Sequence, residues 1–164
     1  MHNLPEVMTR LQRLESAEAI RDLISTYAQG ADAGNDIAVL RPLYTDNAVW
    51  ESPGFGRFAG GDAIADMQQR MAAERLAWTM HYMVSPKINV ADNLTEAEAS
   101  WYLWQLATLV DGTGDSGTPH WIGGLYNAHV RCLAGTWKFA YINLDVRMVT
   151  PYHQGWVEAP KVAL

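Results

Sequence analysis

The chain has 164 residues, 49% of them hydrophobic and seven of them Trp, with a formal net charge of −6; that suffices for one domain with its own core. The acidic balance makes nucleic acid and anionic membrane surfaces poor partners, and no window approaches the apolar run that spans a bilayer. The single Cys132 excludes an internal disulfide and reads as a buried thiol in a reducing compartment, and the charged, amphipathic first thirty residues lack a signal-like apolar region, so a soluble cytoplasmic protein is expected.

Ile20, Leu23, Ile24, Tyr27, Ala28 and Ala31 repeat at helical spacing as one apolar stripe. Ser16 with Glu15 and Glu18 suits the start of that helix, although Pro5–Leu14 is also helical in pattern; Gly30 and Gly34 loosen its end. A short second helix, about Asp36–Tyr44, follows Asn35 as its N-cap type. Thr45–Asn47 is turn chemistry, Ala48–Glu51 a short strand, and the Gly-rich stretch from Ser52 to Gly61 a loop or hairpin around Arg57 and Phe58. Asp62 is placed to cap a third helix, about Ala63–Arg75, with Ile64, Met67, Gln68 and Met71 facing inward.

The hydrophobic period then changes to two. Thr79–Val90 reads as a strand interrupted near Pro86. Glu96–Val110 is a long strand with Trp101, Leu103, Gln105, Ala107 and Leu109 on one face. Asp111–Thr118 is a hairpin tip, Trp121–Leu133 the next strand, and Ala134–Gly135 a tight turn. Trp137–Val149 closes the set, with Phe139, Tyr141, Asn143, Asp145 and Arg147 on one face. Helices first and antiparallel strands after predict an α+β domain over residues 1–150, its helices packed on one face of a strongly curved sheet with a conical cavity between. Residues 151–164 form a tail that covers the pocket or contacts another subunit.

Asp32 lies at the edge of the apolar stripe. It turns outward, caps the next helix, or pairs with a partner that offsets the cost of burying a carboxylate. His81 stands in an apolar stretch with Trp78, Met80, Tyr82 and Met83, as a satisfied core histidine or as that partner. Paired, Asp32 holds one ring N–H of His81 and leaves the other nitrogen as a general base. Tyr27, on the inner face before Asp32, is either a core tyrosine or a proton donor. Arg147 binds an anionic substrate group or pairs with Asp145. Trp50, Met83 and Asn143 join Arg147 as expected substrate-binding positions in a large apolar pocket. His120, His129 and His153 share no metal-ligand spacing, and no Gly-rich phosphate fingerprint follows a strand, so neither metal nor nucleotide cofactor is expected.

The run from Ile20 to Ala28, then Asp32, Asp36, Leu40 and Tyr44–Trp50, resembles the opening of the SnoaL-like branch of the NTF2-like superfamily. Gly60–Ile64, His81–Tyr82 and Trp137–Phe139 match in order and spacing, so the resemblance spans nearly the whole chain. It is strongest toward the dehydratase-like group, which includes scytalone dehydratase, hexachlorocyclohexane dehydrochlorinase and bile-acid 7α-dehydratase. The resemblance implies an NTF2-like (cystatin-like) cone, no cofactor, and often a homotrimer, with dimers also occurring. It implies an aspartate from the first helix and a histidine from the first long strand at Asp32 and His81. The bile-acid enzyme's tyrosine and late arginine match Tyr27 and Arg147, whereas the dehydrochlorinase has a lysine where Tyr27 stands. The leading expectation is a cofactor-independent lyase eliminating water from a bulky apolar ring substrate. An isomerase using the same dyad and a domain that only binds small molecules are the alternatives.

Overall fold

The computed structural model describes residues 3–110 and 117–156. Asn3 accepts the backbone N–H of Glu6 at 3.0 Å and Pro5 sits in the first turn, so the first helix, α1, starts at Leu4 and runs unbroken to Asp32. It therefore begins a dozen residues before the Ser16 start predicted from the stripe. Only its second half is packed: Ile20, Leu23, Ile24 and Tyr27 are buried, while Leu4, Val7, Met8, Leu11 and Leu14 are exposed. Arg13 ties the exposed half back by bonding the Val90 carbonyl and Asp92.

Gly30 does not loosen α1. A Cβ there would stand 2.7 Å from Leu40 and 2.9 Å from Val39, so its absence lets the next helix pack against α1. That helix, α2 (Ile37–Leu40), is capped by the Asp36 side chain, which accepts from Ala38 N–H at 2.9 Å. Asn35, expected as the cap, instead takes a left-handed backbone (φ 54°) and donates through Nδ2 to the Gln68 carbonyl at 2.7 Å. Pro42 cannot continue an α-helix, so a single 3₁₀ turn, Arg41–Leu43, leads into the sheet.

Strand β1 (Tyr44–Ser52) and strand β2 (Gly56–Ala59) form the predicted hairpin. The turn expected at Thr45–Asn47 is a pairing irregularity within β1, between Tyr44 and Val49. Helix α3 (Gly61–Arg75) has Gly60 as its N-cap, with no side-chain cap. Asp62 is drawn away instead by Arg41, which also bonds Asp46 at 2.7 Å, linking the first turn of α3 to β1.

The remaining strands are β3 (Leu76–Val90), β4 (Glu96–Leu109), β5 (Thr118–Leu133) and β6 (Thr136–Pro151). Ser85, at φ 55° before Pro86, marks the expected break in β3, where pairing shifts between Val84 and Lys87. Ala134 and Gly135, at φ 49° and 81°, make the tight β5–β6 turn. The sheet order is β2-β1-β6-β5-β4-β3, antiparallel throughout except for the parallel β1–β6 pair. The helices lie against one face, and the core between helices and sheet centres on Ile20, Tyr44, Ile64, Trp101, Val130 and Phe139. Most of the expected tip at 111–118 and of the tail lies outside the described residues. The tail's Trp156 stacks edge-on against Trp104 and Trp121. Trp104 alternates with the inward Leu103 and Gln105, so this part of the tail lies on the outer sheet face, not over the cavity. Among the described residues, no helix is long and apolar enough to cross a membrane.

Candidate active site

A cavity of about 470 Å³ opens between α1, α3 and the inner face of the sheet. Alternation along β4 sends Leu103, Gln105 and Leu109 into it, as the period of two requires. Alternation along β3 does the same for His81 and Met83, and turns Trp78, Met80, Tyr82 and Val84 outward. From α1 come Tyr27 and Ala31, from α3 Gln68 and Met71, and from β1 Trp50.

Asp32 ends α1 directly beside β3. Its Oδ1 lies 2.6 Å from His81 Nδ1, and the carboxylate also accepts the His81 backbone N–H at 3.0 and 3.1 Å. The Thr79 hydroxyl adds a longer contact at 3.4 Å. An ionised carboxylate can only accept, so Nδ1 is the protonated nitrogen and Nε2 carries the lone pair. The His81 side chain is 11% exposed and that of Asp32 31%, so the carboxylate keeps one edge in water, as its place at the edge of the stripe allows. Burial pulls the His81 pKa below its ordinary value of 6.5, against the opposing hydrogen bond and charge of Asp32. The imidazole is thus neutral at neutral pH, with a base facing an apolar hollow.

Tyr27 lies deeper, 3% exposed, with its hydroxyl oxygen accepting Gln68 Nε2–H at 3.0 Å. Gln68 Oε1 in turn accepts the Tyr44 hydroxyl at 3.1 Å. Burial raises the Tyr27 pKa, and the neighbouring polar groups, among them the Gln68 amide that donates to it, work against that rise. The phenol is therefore a neutral donor.

The structure gathers Tyr27, Trp50, His81 and Met83 around one cavity with Asp32 behind His81; it does not bring Asn143 or Arg147 there. In β6 the inward residues are Leu144 and Val146, because Ala140 is an extra residue opposite the β5 step His129–Val130. That bulge inverts the alternation, so the face read from Phe139 does not continue through Tyr141 and Asn143. Arg147 is the extra residue of a second bulge opposite Gly123–Gly124; it is half-exposed and paired with Asp145 at 2.9 Å. A substrate-binding role for these two is withdrawn on that geometry. The sequence reading took none of the polar lining residues Asn35, Gln68, Glu74, Arg75, Gln105, His120 and Tyr126 as catalytic or substrate-binding positions. Gln105 sits directly across from His81 in the β3–β4 ladder, a neighbour that counting back from the hairpin would have found. His120 bonds the Thr118 carbonyl through Nδ1 at 2.8 Å.

The sequence profile of the SnoaL-like domain matches residues 12–143. No curated protein matches the chain. Among solved structures, a type 2 hexachlorocyclohexane dehydrochlorinase is 24% identical with a TM-score of 0.79, covering 93% of this chain and 99% of its own. A candidate scytalone dehydratase from Novosphingobium aromaticivorans is 21% identical with a TM-score of 0.74, over 87% of this chain and 91% of its own. An NTF2-like protein with a cystatin-like fold from the same species is 23% identical with a TM-score of 0.68, over 89% and 91%. These likenesses carry the fold, an NTF2-like α+β cone with helices on one face of a mixed sheet, and the profile match carries the family: the chain belongs to the SnoaL-like family.

Proposed function

We propose that this protein is a cofactor-independent carbon–oxygen lyase that eliminates water from a bulky, largely apolar ring substrate. The observation that carries the reading is the 2.6 Å contact between Asp32 and His81 Nδ1, which leaves Nε2 as an unprotonated base facing the cavity. Nε2 abstracts a proton acidified by a neighbouring carbonyl, Asp32 orients the ring and stabilises the imidazolium, and Tyr27 protonates the departing hydroxyl. The apolar lining, with Phe55, Met71, Leu103 and Ile122 among it, favours a ring system over a charged metabolite. Relatives of this fold include proteins named as a dehydrochlorinase and a candidate scytalone dehydratase, which is consistent with elimination.

The test is a panel of fused-ring β-hydroxy ketones assayed in heavy water by NMR. The expected product is an enone that has lost water, formed about 10²–10⁴-fold more slowly by His81→Ala. A product of unchanged formula would make the same dyad an isomerase. Undiminished elimination by a folded His81→Ala variant would reject the mechanism.

The reading extends to assembly. The outer face of β3 and β4 exposes Trp78, Met80, Tyr82, Val84 and Tyr102 on neighbouring strands, and exposed apolar side chains grouped in this way mark contact surfaces. We propose that a second copy of the chain covers it in a homo-oligomer.

A further inference from the structure

Two buried glutamines line the cavity, Gln68 from α3 and Gln105 from β4. Gln68 is committed at both ends: its Oε1 accepts the Tyr44 hydroxyl at 3.1 Å, and its Nε2–H goes to Tyr27 at 3.0 Å. The Gln105 side chain makes no hydrogen bond among the described residues. Its neighbours on the inner face explain why. Leu103 and Ala107 flank it along β4, Ile122 stands opposite on β5, and His81 stands opposite on β3. The first three are aliphatic, and His81 gives its Nδ1–H to Asp32. Among the described residues, the one fully enclosed side-chain nitrogen or oxygen without a partner is Trp50 Nε1. The Gln105 amide is therefore not enclosed by protein; the 6% of this residue that is exposed opens into the cavity it lines.

An amide buried among aliphatic side chains, with its N–H groups and its oxygen unpaired, keeps the cost of its desolvation. Packing gives no reason for it, since an apolar residue would match the neighbours. What completes it is a polar atom of a molecule in the cavity, and no side chain competes for its N–H donors. The place of the amide says which atom. Directly opposed residues of antiparallel strands point the same way with Cβ atoms about 4.5–5.5 Å apart. The amide nitrogen of Gln105 and Nε2 of His81 lie the same number of bonds beyond Cβ, so they reach side by side to a similar depth. A carbon that gives its proton to Nε2 has the oxygen of an adjoining carbonyl within that spacing. We infer that Gln105 binds the carbonyl oxygen of the ring substrate and, as His81 removes the neighbouring proton, stabilises the enolate oxygen through its amide N–H.

The inference rests on the proposed reaction for the removal of that proton; the capture of a ring ketone belongs to the free protein. In the step, His81 Nε2 takes the proton, the C–H electron pair becomes a C=C bond to the carbonyl carbon, and the carbonyl π pair moves onto oxygen. That oxygen then carries the negative charge and accepts the Gln105 N–H. As the charge returns, C=O re-forms, the electron pair moves on to make the C=C bond of the enone, and the C–O bond to the hydroxyl breaks. The hydroxyl leaves as water with the Tyr27 proton, and the imidazolium returns its proton to the phenolate through water. The Gln105 bond strengthens as charge builds on the oxygen, and an interaction of that kind lowers the barrier rather than only holding the ground state. His81 offers no donor for the task while Nε2 is the base. Touching the reacting carbonyl, Gln105 is a catalytic residue, and it narrows the substrate to a ring compound whose carbonyl adjoins the carbon that loses its proton.

9-Fluorenone tests this without turnover, being a flat fused-ring ketone with no removable proton beside its carbonyl. Its carbonyl stretch, read by infrared difference with a carbon-13 label, falls when the oxygen accepts a hydrogen bond. Bound to the native protein, the stretch is expected below its value in an apolar solvent. In Gln105→Leu the ketone still binds, about threefold to tenfold more weakly, and the stretch returns to the apolar value. Gln105→Met, of nearly the same length, serves if the leucine variant does not fold. On a β-hydroxy ketone that the protein turns over, either variant loses about 10²–10³-fold, in kcat more than in KM. No binding of fluorenone by the native protein, an unshifted stretch there, the same shift in a folded variant, or turnover unchanged in a folded variant overturns the inference. A lowered stretch that depends on Gln105, without elimination from any ketone of the panel, supports the carbonyl site and counts against the elimination alone.

Discussion

Asp32 accepts from both the ring and the backbone of His81, so it fixes the imidazole's tautomer and its place on β3 together. Asp32→Asn puts an N–H₂ group where one of those donors points. The expected loss in turnover is about 10²–10⁴-fold with the fold retained, measured against the same ring substrates. The same variant also has a directional pH signature. Burial lowers the His81 pKa and Asp32 raises it; without the carboxylate charge the pKa falls further. In the proposed mechanism the neutral imidazole is the base, so the acid limb of kcat/KM is expected below pH 6.5 in the native protein and at still lower pH in Asp32→Asn. Stability follows the same sign. Between the depressed pKa and 6.5 the unfolded chain binds more protons at this position than the folded one, so stability falls as pH drops through that window. In His81→Gln that contribution is absent, and urea midpoints measured from neutral pH downward should show a shallower decline.

At the scale of elements, what was legible in the sequence depended on whether a strand kept its parity. In β4, Trp101, Leu103, Gln105 and Ala107 point inward as read, because no bulge interrupts that strand. In β6 two bulges do, and no residue type announces the extra residue at Ala140, so Asn143 and Arg147 were assigned to the wrong face. The helix stripe placed Tyr27 and Asp32 well, since helical phase survives over a few turns. It misplaced the start of α1 because capping by Asn3 is independent of burial. Gly30 was read as a weak point when it is a packing contact: in Gly30→Val the side chain would meet Leu40 and Val39 at under 3 Å. That variant should lose about 1–3 kcal/mol of stability by urea denaturation, with α2 displaced. Gly34→Ala makes a useful contrast, because nothing lies within 4 Å of its Cβ position and only its φ of +76° opposes the change.

At the scale of the whole molecule, the sheet has two working faces. The inner face and the helices enclose the cavity; the outer face carries exposed aromatic and aliphatic side chains from β3 and β4, with Trp104, Trp121, Tyr152 and Trp156 stacked beyond them. If the outer face joins copies of the chain, Tyr82→Lys with Val84→Lys should shift the sedimentation equilibrium from oligomer to monomer without emptying the core, since both side chains already face outward; a wild-type monomer would remove that part of the account. The proposed elimination turns on one nitrogen. Nitrogen NMR of the histidine imidazoles at neutral pH, with the His81 signal assigned by His81→Gln, reads it directly. The account predicts a neutral ring protonated at Nδ1, a bare Nε2, and ionisation below the ordinary histidine value of 6.5. An imidazolium at neutral pH, or a proton resident on Nε2, would contradict it.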